Sequence, residues 1–222
     1  MKATLVRALL ASCIGFAAAG QAVATPITSS PSFSLGSLSF DSFGCVIAKG
    51  GLSAQPSSCS QIDVAADAGF GGLDFSSTFQ AKSLSFDNVL LRYRVSAAGA
   101  GISGVQLAFD GSFMGASVAS VTEIVRDAGG REVGRMTVSC SLLGCDQQDP
   151  GYGWFDIPLD GIYQELYVTK LINVSAVIGT ARLTQVRQGY TLAAEVPEPG
   201  SLALLAMGLL GAGAASRRRK AS

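Results

Sequence analysis

Apolar and polar residues alternate with a period of two along much of the middle of the chain. Two stretches show this clearly, with apolar residues at every second position: Val105, Leu107 and Phe109, then Met136, Val138 and Cys140. Such alternation is typical of strands that bury one face. Residues 32–195 contain no convincing amphipathic stretch of helical period. The pattern therefore predicts a body made of strands.

The stretch from Ser83 to Ala97 predicts a longer strand with an irregularity. Its apolar residues change parity part-way along, from Leu84 and Phe86 to Val89, Leu91, Tyr93 and Val95. Because side chains alternate between the two faces of a strand, an extra residue is needed to keep both sets on one face. We therefore predict a bulge or turn at Asp87-Asn88.

Turn signals and a long final strand complete the pattern. Asp127-Ala128-Gly129-Gly130-Arg131 predicts a hairpin between two strands. One face of the last strand is apolar, at Leu166, Val168, Ile172, Val174, Ala176 and Ile178. Many strands with glycine-rich turns favour an all-β fold, an antiparallel β-sandwich or jelly-roll-like body. We assign this body to residues 25–195.

The N-terminus has the three parts of a secretory signal peptide. Lys2 and Arg7 precede an apolar stretch from Ala8 to Ala19, and Ala22-Val23-Ala24 forms a cleavage site of the A-x-A type. We expect a signal helix within residues 1–24 and cleavage after Ala24. A lipoprotein-type site at Leu10-Ala11-Ser12-Cys13 is the rival reading, but the apolar run before Cys13 is short.

The C-terminus combines a proline-rich motif, an apolar run and a basic cluster. Pro197, Glu198 and Pro199 form an extended segment, and residues 202–215 are apolar. As a helix this run would span about 21 Å, short of the roughly 30 Å hydrocarbon core. The bases that follow nevertheless favour a membrane helix with a cytoplasmic end: Arg217, Arg218, Arg219 and Lys220.

This order of features resembles the PEP-CTERM sorting signal of Gram-negative bacteria. The resemblance covers residues 196–222 and implies an exosortase as processing partner. It also implies export, transient anchoring of the C-terminal helix in the inner membrane, removal of that helix, and release or attachment at the cell surface. The body is similar to small PEP-CTERM bodies at the Tyr93-Arg94-Val95 strand, and those bodies carry no activity to transfer.

Charge and composition exclude several classes of function. The chain has 16 basic and 16 acidic residues and no histidine. Between Thr25 and Glu195 there are 10 bases and 15 acids, a net charge of −5. An acidic body is unsuited to nucleic acid, which needs a cationic surface. Without histidine there are no His-dependent triads and no His metal ligands.

Four cysteines remain after signal removal, and an exported chain meets an oxidising compartment. They show no C-x-x-C spacing and have no histidine beside them, so zinc binding is not expected. Four cysteines allow three disulfide connectivities. The local connectivity, which pairs Cys45 with Cys59 and Cys140 with Cys145, needs the shortest loops and is the simplest for the chain to form.

No motif for catalysis or for a cofactor stands in the right context. Residues 99–104 match G-x-G-x-x-G, but a strand pattern follows instead of a helix. No G-x-S-x-G elbow occurs, and the spacing of isolated carboxylates such as Asp110, Glu123 and Asp127 selects no acid–base pair. We expect no cofactor and a non-enzymatic protein.

The segment from Cys145 to Tyr167 is the candidate ligand face. It holds five acids with aromatic residues between them, and no base lies between Met136 and Thr169. The candidate residues are Asp146, Asp149, Tyr152, Trp154, Asp156 and Asp160. Asp146 and Asp149 form a weak calcium candidate. The plainer alternative is a solvated acidic loop whose aromatic residues fill the core.

These observations favour a structural or adhesive component associated with the extracellular polysaccharide of a biofilm. The alternative is a secreted polysaccharide hydrolase that uses a carboxylate pair.

Overall fold

A computed structural model of the chain describes residues 23–51, 53–145 and 154–193, with only the backbone of Trp154. The predicted signal helix and C-terminal hydrophobic helix lie outside these ranges. The described part is almost entirely β-structure, with two short 3₁₀ turns at Ile27–Ser29 and Cys59–Gln61. Its strands are β1 (Thr25–Pro26), β2 (Phe33–Leu35), β3 (Leu38–Gly50), β4 (Asp63–Asp67), β5 (Gly72–Lys82), β6 (Ser85–Ala97), β7 (Ile102–Asp127), β8 (Glu132–Ser141), β9 (Gly144–Cys145), β10 (Trp154–Tyr163) and β11 (Glu165–Leu192).

The two longest strands, β7 and β11, pair antiparallel over nearly their whole length. Each has a glycine with a positive φ near its middle, Gly115 at 69° and Gly179 at 100°. A Cβ at Gly179 would overlap the carbonyl oxygen of Met114. Glycine is therefore needed there for both its backbone angle and the close approach of the partner strand.

This glycine-containing segment divides the antiparallel sheet into two halves. Residues 165–176 of β11 pair with β6, and the strand order continues through β3 to β2. Residues 180–189 of β11 pair with β5, and the order continues through β4 to β1. On the other side of the β7–β11 pair, β8 extends the first half and β10 the second. We call these halves the first layer and the second layer.

The two layers pack face to face through aromatic side chains. Tyr93 and Phe40 of the first layer meet Tyr190 of the second, with ring centroids of Phe40 and Tyr190 5.6 Å apart. Phe75 of the second layer lies 5.5 Å from Tyr93. The body is therefore an antiparallel β-sandwich, as predicted, and one folded-over sheet supplies both layers.

The last strand changes its inward parity twice. Register shifts between Ala176 and Ile178, and between Leu183 and Gln185, mark β-bulges in its pairing with β7. The predicted apolar face is buried from Leu166 to Ala176, whereas Ile178 is 68% exposed. The placement of Ile178 on the buried face is wrong because the first bulge reverses the parity at that point.

The bulge predicted at Asp87-Asn88 is also wrong. β6 keeps an unbroken register with β11, so Ser85 and Asp87 are buried while Leu84 is 81% exposed. Phe86 faces outward, where its ring covers Gly50, its cross-strand partner on β3. An aromatic ring over a neighbouring glycine explains an outward apolar residue without any bulge.

Both predicted local disulfides are confirmed. One joins Cys45 of β3 to Cys59, and the other joins Cys140 of β8 to Cys145 of β9. The first closes a loop with a sequence separation of 14 residues, which is worth about 3 kcal/mol in the chain-entropy account. The predicted hairpin is also confirmed, since Gly130 donates its N–H to the carbonyl of Asp127 at 2.9 Å between β7 and β8.

Candidate functional site

The outer face of the first layer carries two neighbouring rows of polar and aromatic residues. Cross-strand register aligns one residue from each of five strands in every row. The first row is Asp41, Arg94, Tyr167, Arg126 and Glu132. The second row is Gly44, Arg92, Thr169, Ile124 and Arg135. On β6, β7 and β11 the two rows are two residues apart, and alternate residues of a strand share a face, so both rows point to the same side there.

A groove of about 530 Å³ lies on this face beside the β7–β8 hairpin, and we call it the hairpin groove. Strands β6, β7 and β11 form its floor, and the hairpin forms one wall. Its lining residues are Arg92, Ile124, Arg126, Asp127, Ala128, Gly130, Tyr167 and Thr169. The groove therefore combines an aromatic ring, cationic side chains and hydroxyl groups on a sheet surface.

The charges around the groove are unevenly compensated. Arg94 holds Asp41 by two hydrogen bonds, at 2.9 and 2.7 Å, and reaches Glu165 at 3.5 Å. The hydrogen bond from Arg94 lowers the pKa of Asp41 below its usual range. Arg126 lies 4.0 Å from Glu132. Within the described part of the chain, Arg92 has no carboxylate at ion-pair distance, so its guanidinium is available to a ligand.

The hairpin wall is fixed by a cluster around Arg131. Arg131 pairs with Asp127 at 3.2 Å and with Asp160 at 2.6 Å, and it donates to the Tyr163 hydroxyl at 2.9 Å. Hydrogen bonds from Tyr163 and Arg131 lower the pKa of Asp160. The cluster thus ties the β7–β8 hairpin to β10 of the second layer.

The predicted ligand face is only partly within the described residues. Asp146, Asp149 and Tyr152 lie outside them, and of Trp154 only the backbone position opposite Ala108 is described. Asp156 is exposed and accepts a hydrogen bond from the Gln106 side chain at 3.0 Å. The ligand face as a whole stays a prediction.

Two of the five acids of that segment have basic partners, although the sequence shows no base near them. Asp160 is paired with Arg131, and Glu165 is within reach of Arg94. Both bases come from strands or turns distant in sequence, so the absence of a base between Met136 and Thr169 does not leave these acids uncompensated. Tertiary contacts supply the missing positive charge.

The three isolated carboxylates are separated by the fold. Glu123 is buried, whereas Asp110 lies 3.6 Å from Arg187 and Asp127 is held by Arg131. Among the described residues, no group of three or more acidic or cysteine side chains is arranged to hold a metal ion. The weak calcium candidate, Asp146 with Asp149, lies outside that part.

Sequence reasoning missed the hairpin groove, although a signal for it exists. Arg92 and Arg94 occupy the outward positions of the predicted strand from Ser83 to Ala97. Tyr167 belongs to the aromatic set of the predicted ligand face. What the sequence does not show is that β11 places Tyr167 between Arg94 and Arg126.

Residues 195–220 match the PEP-CTERM protein-sorting motif. The chain carries a PEP-CTERM sorting signal. This confirms the resemblance seen at the C-terminus and marks the protein for export and sorting to the cell envelope or surface. Within the described residues of this PEP-CTERM protein, no helix is long and apolar enough to cross a membrane. The predicted C-terminal helix lies beyond them.

Comparison of the PEP-CTERM protein with solved structures gives distant likenesses. TmCBM61 in complex with β-1,4-galactotriose is 12% identical with a TM-score of 0.34, over 66% of this chain and 88% of that one. The enzymatically active domain of bacteriophage CBA120 tailspike protein 4 is 12% identical with a TM-score of 0.32, over 66% of this chain and 19% of that one. A structure of carbohydrate-binding modules from the β-sandwich superfamily is 11% identical with a TM-score of 0.28, over 72% of this chain and 58% of that one.

The search of curated proteins found no significant match.

Proposed function

We propose that this PEP-CTERM protein is an exported, non-enzymatic structural or adhesive component that binds extracellular polysaccharide in the hairpin groove. One observation carries the proposal: Tyr167 is 41% exposed on the groove floor, and diagonally across the strand pair lies Arg92, which pairs with no carboxylate of the described residues. An aromatic face stacks on the apolar face of a sugar ring. An arginine fork donates to hydroxyl or carboxylate oxygens of the same polymer.

The carboxylate content of the groove supports binding over hydrolysis. Glycoside hydrolysis needs two carboxyl groups that flank the scissile bond. Asp127 is the one carboxylate among the described groove residues, and Arg131 holds it through its Nε and backbone N–H groups. A single carboxyl group in the groove does not supply the pair that hydrolysis needs.

Co-sedimentation with extracellular polysaccharide from the native host tests this function. Tyr167→Ala and Arg92→Ala should each weaken binding by about tenfold, or roughly 1.4 kcal/mol. Arg182→Ala is the matched control, because Arg182 is exposed on the outer face of the second layer.

Unchanged binding by folded Tyr167→Ala and Arg92→Ala would contradict the groove as the binding site. Release of new reducing ends by the wild-type protein would contradict the non-enzymatic assignment and favour the hydrolase alternative.

A further inference from the structure

Three polar residues meet in the core of the sandwich, between the two layers. Glu123, Lys170 and Gln188 each have no exposed side-chain surface. Glu123 and Lys170 are cross-strand partners in the first layer, and Gln188 comes from the second layer on the far half of β11. Each occupies an inward position between apolar neighbours: Val121 and Val125, Val168 and Ile172, Val186 and Tyr190.

The contacts fix the orientation of the Gln188 side chain. Lys170 Nζ donates to Gln188 Oε1 at 2.7 Å and also contacts Glu123 Oε2. The amide nitrogen of Gln188 points the other way and donates to the backbone carbonyl of Gln106 at 2.8 Å. The Lys170 amine therefore lies beside the carboxamide of Gln188, with a carboxyl group next to it.

The surroundings of this group favour uncharged side chains. Burial raises the pKa of Glu123 and lowers the pKa of Lys170, against the attraction between the two. In a medium of low dielectric, transfer of a proton from the ammonium group to the carboxylate removes two buried charges. The transfer leaves a neutral amine, which is a nucleophile, and a neutral carboxylic acid, which is a proton donor.

We propose that Lys170 and Gln188 form an intramolecular isopeptide bond, with Glu123 as the general acid–base. Lys170 Nζ attacks Gln188 Cδ while Glu123 protonates the carbonyl oxygen. Glu123 then takes a proton from the attacking nitrogen and gives it to Nε2. The Cδ–Nε2 bond breaks, and the proton on the carbonyl oxygen returns to Glu123. The Cδ–Nζ amide replaces the primary amide, one ammonia molecule leaves, and Glu123 ends protonated as it began. No oxidant, reductant or cofactor is needed.

The fold provides what this reaction requires. The amine and the carboxamide are buried and held in contact by the fold. The two groups therefore react within one molecule in a fixed orientation and do not have to meet by diffusion. The product contains no buried charge. It also links the two layers covalently across the bulged middle of β11, where neither disulfide reaches. Formation of this bond does not require the binding of polysaccharide in the hairpin groove.

Peptide mapping of the full chain by mass spectrometry tests the bond directly. After reduction, alkylation and unfolding, trypsin should fail to cleave after Lys170. The peptide that begins at Met136 should be joined to the peptide that begins at Gln188, and the mass of the pair should be lower by one ammonia molecule. Glu123→Gln, which preserves size and removes the acid–base group, should abolish the link, whereas Lys82→Arg at an exposed lysine should retain it.

Complete cleavage after Lys170 in the folded wild-type protein would overturn the proposal. This test uses the wild-type protein alone, so it does not depend on the folding of any variant. A loss of water that links Lys170 to Glu123 would also overturn it, since Gln188 would not be the acceptor. A link with loss of ammonia from Lys170 to a residue other than Gln188 would also overturn it. A link that persists in Glu123→Gln would remove Glu123 from the reaction.

Discussion

The hydroxyl groups of Tyr93 and Tyr190 lie 2.7 Å apart in the core, and each belongs to a different layer of the sandwich. Both side chains are buried, and burial raises the pKa of each hydroxyl well above its ordinary value. The pair is therefore a neutral hydrogen bond that joins the layers at one point. Its partners are 97 residues apart in sequence.

The two hydroxyl groups should be energetically coupled, so that removing both costs less than the sum of the single removals. Tyr190→Phe leaves the Tyr93 hydroxyl buried without its partner, and we expect a loss of about 1–3 kcal/mol in the free energy of unfolding. Tyr93→Phe with Tyr190→Phe should cost less than the sum of the single changes. Urea unfolding of the four proteins in a double-mutant cycle measures this coupling. Additive losses would contradict it.

Gly179 should be the more sensitive of two glycines with a positive φ. Gly179 and Gly130 have φ angles of 100° and 82°, so alanine strains the backbone at both. At Gly130 a Cβ meets open space, whereas at Gly179 it overlaps the Met114 carbonyl. We expect Gly179→Ala to lose about 1–3 kcal/mol more stability than Gly130→Ala. Equal losses in urea unfolding would show that β7 and β11 are not in close contact there.

The buried carboxyl of Asp87 predicts a pH dependence of stability. Neither oxygen has a hydrogen-bond partner among the described residues, and burial raises the pKa to about 6 from the ordinary 3.8, with Lys49 opposing. Between these values the folded state binds more protons than the unfolded state, so stability falls as the pH rises from about 4 to 6.

Asp87→Asn should remove that part of the pH dependence. At pH 7 the variant should be more stable than the wild type, by on the order of 2 kcal/mol, because no buried carboxylate has to ionise. Thermal unfolding at a series of pH values measures the effect, and Asp156→Asn at an exposed position is the control. If Asp87→Asn shows the same pH dependence of stability as the wild type, other carboxyl groups cause that dependence.

Processing at both ends stays a prediction of the sequence. Residues 1–24 and the segment beyond Pro199 should be absent from the mature protein, because one is a signal peptide and the other carries the removable helix of the sorting motif at 195–220. Intact-mass measurement of protein from the native host, with and without its exosortase, decides this. Finding residues 202–215 in most of the extracellular protein would contradict it.

The predicted ligand face has its own test at Trp154. If this residue stacks on sugar rings, Trp154→Ala should weaken polysaccharide binding with little loss of stability. A core tryptophan would instead cost roughly 3–5 kcal/mol on truncation. Measuring binding and unfolding on the same preparation separates the two. A large stability loss with unchanged polysaccharide and calcium binding would remove Trp154 from the site.

The sequence alone determined the features that depend on nearby residues. The sorting motif is a contiguous segment, and both disulfides join cysteines no more than 14 positions apart. Period-two alternation located part of β7, part of β8 and the first half of β11, since a strand exposes its faces in a fixed order. The same rule failed at Phe86 and Ile178, where a cross-strand glycine and a bulge outweighed the local pattern.

Only the tertiary structure decided which distant residues meet. The order of strands places Tyr167 between Arg94 and Arg126, brings Arg131 to Asp160, and buries Lys170 against Glu123 and Gln188. The buried group of Lys170, Glu123 and Gln188 has no local sequence signal, because polar residues at inward positions look like ordinary breaks in an apolar strand. Their chemistry arises from the folding of one long strand pair over itself, which depends on packing between the layers and on glycine at the bend.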